Sequence, residues 1–496
     1  MTANKRFLAF DIGASNGRAL VGQWDGHRLA CEDIYHFPNS PVQALANTYW
    51  DVLRLFHEVK QGLMACVARI GNRVDGIGLD TWGVDFGLFD RDGRLLGNPH
   101  HHRDSRFAGA DEKLKNAVGG YEVYIETGVL IEQVATITQL FALACDKSPT
   151  LEAAEKMLMI PSILNYFLTG GLVDEHSNMS NTGLIGYRDD KPLVDLLQRM
   201  GVRAGIIPDF VEPGTPAGEL LPALKQETGF VSAPVIACAT HDTASAVISA
   251  PADPASNWAF LSCGTWSVLG IETAAPLTSR ESYDAGLTTA ATADGKFMTR
   301  KNITGLWIVQ ELRRIWSQAG GALDYEEMVA MAESAPPFTA FIDVDDPRFV
   351  NPANMFEAIL GCLRESGQPE PADKRTMLRI VLESMAFKYR SVLDTIRNVT
   401  GAHVDVLHIV GGGVKNRLLC RFTADALGIP VVAGPVEATS MGNLLMQMKG
   451  SGDITSVAEG RSLLRSSFDL VDYSPQQTGS WVDAYTRYLT ITGRDR

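Results

Sequence analysis

The stretch from Arg6 to Trp24, RFLAFDIGASNGRALVGQW, decides the fold class. Two apolar segments flank a turn of glycine, alanine, serine and asparagine, which is the pattern of a β-hairpin. The stretch from Asn257 to Glu272, NWAFLSCGTWSVLGIE, repeats the same order of apolar strand, small polar turn and apolar strand. Because short strands and amphipathic helices follow each hairpin, we predict an internal duplication into two α/β domains with a cleft between them.

The boundary between the two domains is predicted near SAPADPASN, residues 249–257, where Pro, Ala and Asp cluster. We therefore expect an N-terminal domain at residues 1–250 and a C-terminal domain at 251–496. In the second half, apolar residues at three- and four-residue spacing predict a helix over 378–399, with Gly401 as its stop. A buried strand is predicted at 404–410, and alternating helices and strands after it favour a largely parallel sheet.

Composition excludes several classes of protein. The chain has 496 residues and a formal net charge of -14, which argues against nonspecific binding to nucleic acid. Its seven cysteines show no paired spacing, so we expect free, mostly buried thiols in a reducing compartment. We find neither a basic-then-apolar leader nor an apolar run long enough to span a bilayer, and we predict a soluble, cytoplasmic protein.

The turn of the first hairpin is a candidate anion site. Asp11 ends the apolar strand, and its oxygens suit a hard Mg²⁺ ion, directly or through water. Small residues after it let consecutive backbone N–H groups approach a bound phosphate; they are Gly13, Ala14, Ser15, Asn16 and Gly17. The alternative is a tight hairpin that needs glycine only for its turn geometry. The absence of GxxxxGK[ST] argues against a Walker-type nucleotide site.

Two glycine-containing segments in the second half extend this hypothesis. The turn SCGTWS, with Gly264 and Thr265 at its tip, repeats the first device, and two such turns would hold a polyphosphate better than one. Gly411, Gly412 and Gly413 join a strand to a helix, with Asn416 shortly after them. They suit a planar group lying against bare backbone at the carboxyl end of a strand. A flexible strand-to-helix loop explains the same glycines equally well.

An ionisable pair interrupts the apolar stretch VIACATHDTASAVISA, residues 235–250. The strand and helix predicted on either side place Thr240–Thr243 at a helix N-terminus. Asp242 or Thr243 is then an N-cap residue, a common role for both types. Asp242 near a positive helix end would also stay ionised and accept a proton from a substrate hydroxyl. His241 would either orient a hydroxyl or fill a polar gap.

A second polar break, DTWGVD at residues 80–85, lies between apolar segments. An aromatic ring flanked by carboxylates and a bare glycine suits a polyol, although a hairpin closed by DRDG at 90–93 is the alternative. The run HHHRDSR at 100–106 has no carboxylate spacing that would complete a metal site. We interpret it as a solvated or substrate-edge loop and assign no metal to it.

Eight motifs in register resemble the FGGY family of carbohydrate kinases. They are FDIGASNGR, DTWGVDF, RDSR, ATHDTASAV, SCGTWS, NITGLWIVQE, GGGVKN and AGPVEATSMGN, and they extend over residues 7–443. The resemblance implies two ribonuclease-H-like domains, as in actin-like ATPases, with ATP and a sugar meeting in the cleft. Two departures are visible: Asn16 stands where relatives are expected to carry Ser, and no Tyr, Trp or Phe precedes RDSR.

The resemblance also implies a role for each matched residue. Asp242 would be the general base on the primary hydroxyl of the sugar, and Asp11 would help to hold Mg²⁺. The first turn, Gly13–Gly17, and the pair Gly264 and Thr265 would contact the ATP phosphates. Gln310, Gly411, Gly412, Gly413 and Asn416 would lie on the nucleotide side. The sugar side would comprise Gly83, His241, Asp242, Thr243 and Asn302.

The implied reaction is ATP-dependent phosphorylation of the 1-hydroxyl of a 6-deoxy ketose, in the first place L-rhamnulose. L-fuculose or another ketose is the alternative within the class. A non-catalytic actin-like ATPase is the alternative from another class, but it leaves Asp242 and DTWG without a use. A dehydrogenase is excluded because no GxGxxG follows the first strand.

Overall fold

Two mixed β-sheets organise the fold, which a computed structural model describes for residues 4–318, 320 and 323–493. The strands are β1 Lys5–Ile12, β2 Asn16–Trp24, β3 Leu29–Pro38, β4 Val42–Ala44, β5 Asn47–Tyr49, β6 Gly76–Thr81, β7 Phe86–Phe89, β8 Lys156–Met159, β9 Asp174–Glu175, β10 Phe210–Val211, β11 Thr215–Glu219, β12 Pro234–Ala237, β13 Trp258–Cys263, β14 Trp266–Thr273, β15 Thr288–Ala291, β16 Phe297–Thr304, β17 Val406–Val410, β18 Val431–Ala433 and β19 Val471–Tyr473.

Helices connect and cover these strands. They are α1 Val52–Ile70, α2 Ala110–Val118, α3 Gly120–Thr127, α4 Thr136–Cys145, α5 Pro149–Ala153, α6 Ile160–Thr169, α7 His176–Met179, α8 Val194–Arg199, α9 Pro222–Thr228, α10 Asp242–Ile248, α11 Arg280–Asp284, α12 Trp307–Gln318, α13 Tyr325–Ser334, α14 Met355–Glu365, α15 Lys374–Thr400, α16 Arg417–Leu427, α17 Ala438–Gly450, α18 Val457–Ser467 and α19 Thr478–Ile491.

The two sheets share one pattern of strand pairing. The first has the order β11-β12-β6-β1-β2-β3, with β1 antiparallel to β2 and parallel to β6. The second has the order β15-β16-β14-β13-β17-β18-β19, with β13 antiparallel to β14 and parallel to β17. Each sheet is therefore built around one hairpin. The first strand of that hairpin pairs on its other side with a parallel strand. The two predicted hairpins and the α/β class are confirmed.

The predicted elements of the second half are also present. The long helix predicted over 378–399 lies inside α15, and Gly401 follows it with a φ of 67°, in the left-handed region that favours glycine. The strand predicted from residue 404 begins two residues later, at Val406.

Packing divides the chain into two compact units. The first comprises the residues up to Ser249 together with Glu272–Thr299 and Ala438–Ser467. The second comprises Ala250–Ile271, Arg300–Glu437 and the residues from Phe468 onward. The division of the chain at residue 250 into two consecutive domains stays a prediction.

In the first unit, helices cover both faces of the sheet. Strand β1 is buried on both sides, so its side chains alternate between two apolar layers. Phe10 packs beside Gly62 of α1, where a Cβ atom would lie 2.5 Å from the Phe10 ring. Gly22 of β2 meets Leu444 of α17 in the same way, at 2.7 Å. Helix α17 is thereby held flat against the strands whose ends carry the candidate site.

All seven cysteines are free thiols, and Cys66, Cys238, Cys263 and Cys420 are buried, which confirms the prediction of free, mostly buried thiols. Over the described part of the chain, no helix has the length and apolar character needed to cross a membrane.

Candidate active site

Three carboxylates gather at the carboxyl ends of neighbouring strands in the first unit. Asp11 on β1 and Asp80 on β6 are direct partners in the parallel register. The Thr81 N–H donates to the Thr240 carbonyl at 2.9 Å, which fixes the end of β6 beside the segment that leads to Asp242. Open α/β sheets bind ligands at this edge, because the chain turns away there and leaves room.

Asp80 is the most perturbed of the three. It is fully buried, and its Oδ2 accepts a hydrogen bond from Asn443 Nδ2 at 2.5 Å. Burial, and then the negative charges of Asp11 and Asp242, raise the pKa of Asp80 well above its usual range. Its Oδ1 is buried and accepts no hydrogen bond from the described residues. The three carboxyl groups are therefore close enough to disfavour the ionised form of Asp80, and a bound cation would offset that repulsion.

Asp11 is less deeply buried than Asp80, and polar and positively charged neighbours balance its negative charge better. Its Oδ2 accepts a hydrogen bond from Ser440 Oγ at 3.1 Å and lies 3.6 Å from Arg18 Nε. Ser440 and Asn443 both belong to α17, so this one helix orients the carboxylates of β1 and β6.

Asp242 lies at the first position inside α10, and the N-cap position belongs to His241, whose side chain makes no capping bond. The prediction that Asp242 or Thr243 is the N-cap residue is therefore wrong, because the chain enters the helix one residue earlier than expected. Asp242 Oδ1 accepts hydrogen bonds from the Thr243 N–H at 2.5 Å and from Thr243 Oγ1 at 3.1 Å. About a third of the Asp242 side chain, 33%, is exposed. The carboxylate is therefore anchored locally while it reaches the surface.

Gly83 lines the same surface as His241. A Cβ atom on Gly83 would lie 3.1 Å from His241 Cδ2 and 3.2 Å from Asn181 Nδ2. His241 Nε2 in turn lies 3.7 Å from Asp242 Oδ1. Four residues predicted for the sugar side, Gly83, His241, Asp242 and Thr243, are thus brought together, and Asn181 joins them.

The DTWGVD segment forms a rigid turn around a buried carboxylate. Asp85 is fully buried, and its Oδ2 accepts hydrogen bonds from Trp50 Nε1 at 2.6 Å and Trp82 Nε1 at 2.8 Å. Trp82 is only 7% exposed, and its ring packs against Trp50 with a centroid separation of 4.1 Å and an interplanar angle of 40°. Asp85 thus draws the indole of Trp82 into the protein, and the contact of this ring with a polyol stays a prediction.

His102 connects this centre to the histidine run. Its Nδ1 lies 2.8 Å from Asp85 Oδ2, and its ring stacks on His101, which packs against Trp50. Burial lowers the pKa of His100 and of His101 to about 4, so both are neutral near pH 7. The solvated alternative is wrong for the three histidines, because His101 and His102 pack on the ring of Trp50 and His100 is half-buried, while the substrate-edge alternative stays a prediction.

The first glycine turn presents exposed backbone. The Gly13 N–H donates to the Asn16 carbonyl at 2.8 Å and closes the turn, while residues 14–16 are exposed. Asn39 also holds the turn, because its Nδ2 donates a hydrogen bond to the Gly13 carbonyl at 2.9 Å. Gly17 differs from the others because it is buried on β2, where a Cβ atom would lie 2.2 Å from the Phe37 ring. Packing against Phe37 is sufficient to explain that glycine.

The second turn, in the second unit, is closed by the same kind of bond. The Gly264 N–H donates to the Trp266 carbonyl at 2.8 Å, and Thr265 is exposed. Thr265 Oγ1 donates to Gln310 Oε1 at 3.3 Å. The Trp307 N–H donates to the Thr265 carbonyl at 3.1 Å, which ties the turn to the start of α12. Two residues predicted for the nucleotide side, Thr265 and Gln310, are therefore neighbours.

The triple glycine has three different environments. Gly411 has a φ of 87°, and a Cβ atom on Gly413 would lie 2.2 Å from Cys263 Sγ. A Cβ atom on Gly412 would meet nothing within 4 Å. The loop therefore lies against the end of β13, next to Gly264, and presents Gly412 to the outside.

Two further predicted residues occupy the second unit. Asn416 caps α16 by accepting a hydrogen bond from the Leu419 N–H at 3.0 Å. Asn302 is an exposed residue of β16.

Sequence reasoning gave no individual site role to several polar residues that contact the candidate site or the network that supports it. Asp80, Asp85, His102, Asn181 and Glu175 belong to this group, together with Ser440 and Asn443 of α17. Only Asp80 and Asp85 carried a signal, as charged residues inside an apolar stretch. The others become recognisable when the chain folds, because their partners are far away in sequence.

Comparison with known proteins identifies the family of this chain. Profiles of the FGGY family of carbohydrate kinases match residues 6–249 with the N-terminal domain and residues 259–451 with the C-terminal domain. A rhamnulokinase of Bacteroides thetaiotaomicron is 38% identical over 484 residues, which cover 98% of this chain and 99% of the relative. A rhamnulokinase of Enterococcus faecalis is 36% identical over 481 residues, which cover 96% of each protein.

Solved structures share the fold at low sequence identity. A gluconate kinase from Lactobacillus acidophilus superposes with a TM-score of 0.80 at 15% identity, covering 99% of this chain and 98% of that structure. A glycerol kinase from Plasmodium falciparum, solved with ADP, gives a TM-score of 0.79 at 15% identity, covering 99% and 98%. The predicted ribonuclease-H-like fold of the actin-like ATPases is confirmed. By the match of both its halves and by these relatives, the chain belongs to the FGGY family of carbohydrate kinases.

Proposed function

We propose that this protein transfers the γ-phosphoryl group of ATP to the 1-hydroxyl of L-rhamnulose, giving L-rhamnulose 1-phosphate and ADP. Relatives named rhamnulokinase match nearly the whole chain at 38% and 36% identity, which supports this substrate over other sugars. The observation that carries the chemistry is the exposed Asp242 carboxylate beside Gly83 and His241, at the edge where Asp11 and Asp80 also end their strands.

We propose Asp242 as the general base. The sugar hydroxyl loses its proton to the Asp242 carboxylate while its oxygen forms the new bond to phosphorus. The bond between phosphorus and the bridging oxygen of ATP breaks, and ADP leaves with that electron pair. Thr243 holds one oxygen of Asp242 through two hydrogen bonds, which keeps the carboxylate pointed in one direction. Positioning of this kind supplies much of the rate in phosphoryl transfer.

The residues at the strand ends fit a magnesium ion. The described residues contain no cluster of three or more His, Cys, Asp or Glu side chains arranged to hold a metal by themselves. Mg²⁺ does not need one, because it commonly keeps several waters and binds one or two carboxylates together with substrate phosphates. The Oδ1 atom of Asp80, without a hydrogen-bond donor, and the neighbouring Asp11 supply such oxygens. When bound, the ion neutralises charge on the phosphates. We propose that Asp11 holds the ion and that Asp80, its neighbour on β6, lies behind Asp11.

We propose that glycine turns bind the nucleotide through backbone N–H groups. The exposed residues of the first turn, Ala14–Asn16, would meet the phosphates, together with the half-buried Gly264 and the exposed Thr265 of the second turn. Gly411–Gly413, Asn416 and Gln310 would meet the nucleoside. In this proposal the domain up to residue 250 supplies the base and most of the sugar contacts. The domain from 251 supplies the nucleoside contacts and Asn302 for the sugar.

The location we propose is the cytoplasm, because free buried thiols fit a reducing compartment and the reaction consumes ATP.

A substrate screen tests the proposed function directly. ADP release is measured with Mg²⁺ and ATP against L-rhamnulose, L-fuculose, L-ribulose and D-xylulose, each compared with a reaction that lacks sugar. We expect L-rhamnulose to give the highest kcat/KM, and phosphorus NMR to show a phosphate ester at C1. A higher kcat/KM with another ketose overturns the choice of substrate, and no stimulation by any ketose overturns the kinase assignment for this site.

A further inference from the structure

Two consecutive buried carboxylates, Asp174 and Glu175, form the short strand β9 in front of α7. Each is 1% exposed, so each costs free energy unless hydrogen bonds satisfy it. Their long-range partners differ, although Asp174 Oδ1 also accepts a hydrogen bond from the Glu175 N–H at 2.9 Å. Asp174 accepts hydrogen bonds from the Met159 N–H at 2.8 Å and Ser162 Oγ at 2.7 Å, which belong to β8 and α6.

Glu175 instead binds the segment that carries the proposed base. Its Oε2 accepts hydrogen bonds from the Thr240 N–H at 2.9 Å and from Thr240 Oγ1 at 2.8 Å. Its two oxygens also accept from the Ser177 N–H and Ser177 Oγ, each at 2.6 Å. Four donors therefore converge on one carboxylate, and two of them belong to Thr240, far away in sequence.

The same network reaches His241. Ser177 Oγ accepts a hydrogen bond from the His241 N–H at 3.4 Å while it donates to Glu175. On the opposite side, the Thr240 carbonyl accepts from the Thr81 N–H. The backbone of Thr240 and His241 is thus held from two directions immediately before Asp242. A backbone without these bonds would be free to move the carboxylate of Asp242 by the ångström or so that matters for in-line transfer.

We propose that Glu175 is a positioning residue for phosphoryl transfer, whose ionised carboxylate fixes the Thr240–His241 backbone and thereby aims Asp242 at the acceptor hydroxyl. This inference rests on the proposed function, since it assumes that Asp242 is the base. Glu175 itself touches no substrate. Its effect on the reaction passes through Thr240 and Ser177.

The protonation state of Glu175 matters for this role. Burial raises the pKa of Glu175 to about 7, against the opposing effect of its hydrogen bonds. A protonated carboxyl carries its own O–H donor, whereas the N–H groups of Ser177 and Thr240 need acceptors, so protonation disturbs the network. The ionised form is present above the folded pKa, and positioning is therefore lost as the pH falls through about 7.

Other titratable groups near Glu175 need to be separated from it. His176 follows it in sequence, and its ring nitrogens lie 2.8 Å from Glu212 and 3.1 Å from Asp190, which raise its pKa. Cys238 and Asp174 are both buried, and burial raises the pKa of each. The charge of Glu175 itself contributes to the raised pKa of His176 and of Cys238, so Thr240→Val, which keeps that charge, separates the positioning role of Glu175 from their titration.

The test compares Glu175→Gln with Asp174→Asn in the full-length protein, using the ketose that the wild type turns over fastest. Both changes replace a carboxylate with an amide at the same depth. For Glu175→Gln we expect kcat to fall about 10- to 100-fold, the order of effect of a misplacement of about 1 Å, with KM for ATP unchanged. The decline of kcat below pH 7 should also flatten. For Asp174→Asn we expect kcat and its pH profile to stay near those of the wild type.

Equal kcat values and parallel pH profiles for the two variants would overturn the inference. If Glu175→Gln fails to fold, Thr240→Val gives the second measurement, because it removes one bond to Glu175 and keeps the N–H. It should lower kcat with an unchanged KM for ATP, and an unchanged kcat overturns the inference. Failure of the proposed function looks different, because the wild type itself would then show no turnover with any ketose.

Discussion

The two sheets of this protein have the same strand pairing but end in different residues. In the first sheet, β1 and β6 end in Asp11-Ile12 and Asp80-Thr81, and β12 leads to Asp242. In the second sheet, β13, β17 and β18 end in Cys263, Val410 and Ala433, and glycine follows each of them. The two units thus share strand pairing and a glycine turn after the first strand of the hairpin, but only the first unit adds carboxylates at or after the ends of these strands.

We propose that this difference reflects two chemical tasks. Carboxylates hold cations and accept protons, while glycine turns offer N–H groups to anions and flat surfaces to rings. The first sheet carries both at the end of β1, where Asp11 lies two residues before the turn that begins at Gly13. A cation held by Asp11 would offset the repulsion between that carboxylate and a phosphate bound at the turn.

The largest effect that tests this comparison is expected for Asp242→Asn. We expect kcat to fall about 100- to 10,000-fold, because an amide cannot accept the proton of the sugar hydroxyl. ADP release measures the loss, and calorimetric titration with ATP should show unchanged nucleotide affinity. Asp253→Asn, at an exposed carboxylate, is the matched control and should be inert. Retained turnover in Asp242→Asn would mean that the carboxylate end of the first sheet does not supply the base.

A smaller effect is expected on stability, from the contact between α17 and α10, the helix that carries Asp242. A Cβ atom on Gly442 of α17 would lie 1.9 Å from the Ser245 carbonyl oxygen of α10. The backbones of the two helices are therefore in direct contact at this point. Gly442→Ala should lower the free energy of unfolding by about 1–3 kcal/mol through overpacking. Urea unfolding checks this value. Gly205→Ala, where a Cβ atom meets nothing within 4 Å, should leave the urea midpoint unchanged. Equal midpoints for the two variants would show that the helices are not in tight contact.

The smallest effect is expected at the glycine turns. Thr265→Ala removes the hydroxyl that donates to Gln310 and should raise KM for ATP about threefold to tenfold, the value of one hydrogen bond. KM for the sugar should not change. Ser15→Ala in the first turn is the matched variant. Steady-state kinetics with each substrate varied in turn separates KM for ATP from KM for the sugar. A change confined to the sugar KM would reverse the assignment of the second turn.

Local sequence pattern was a good guide to the fold and to part of the site. The hairpins, the long helix ending before Gly401 and the strand-to-helix position of Asp242 follow from periodicity and glycine placement, which act over a few residues. The N-cap assignment failed by one residue, since the energies that fix a helix start are small. The histidine run was misjudged because its burial depends on Trp50, which lies about fifty residues earlier.

The sequence by itself determined two hairpin-based α/β halves and the residue types of a kinase site, because strand pattern, turns and motifs are local properties. Tertiary structure alone decided which polar residues support Asp242. Asn443 meets Asp80, Ser440 meets Asp11 and Glu175 meets Thr240, and every one of these pairs is distant along the chain. A buried carboxylate is stable only where folding brings it donors, so the identity of its partners is a property of the packed structure rather than of any segment.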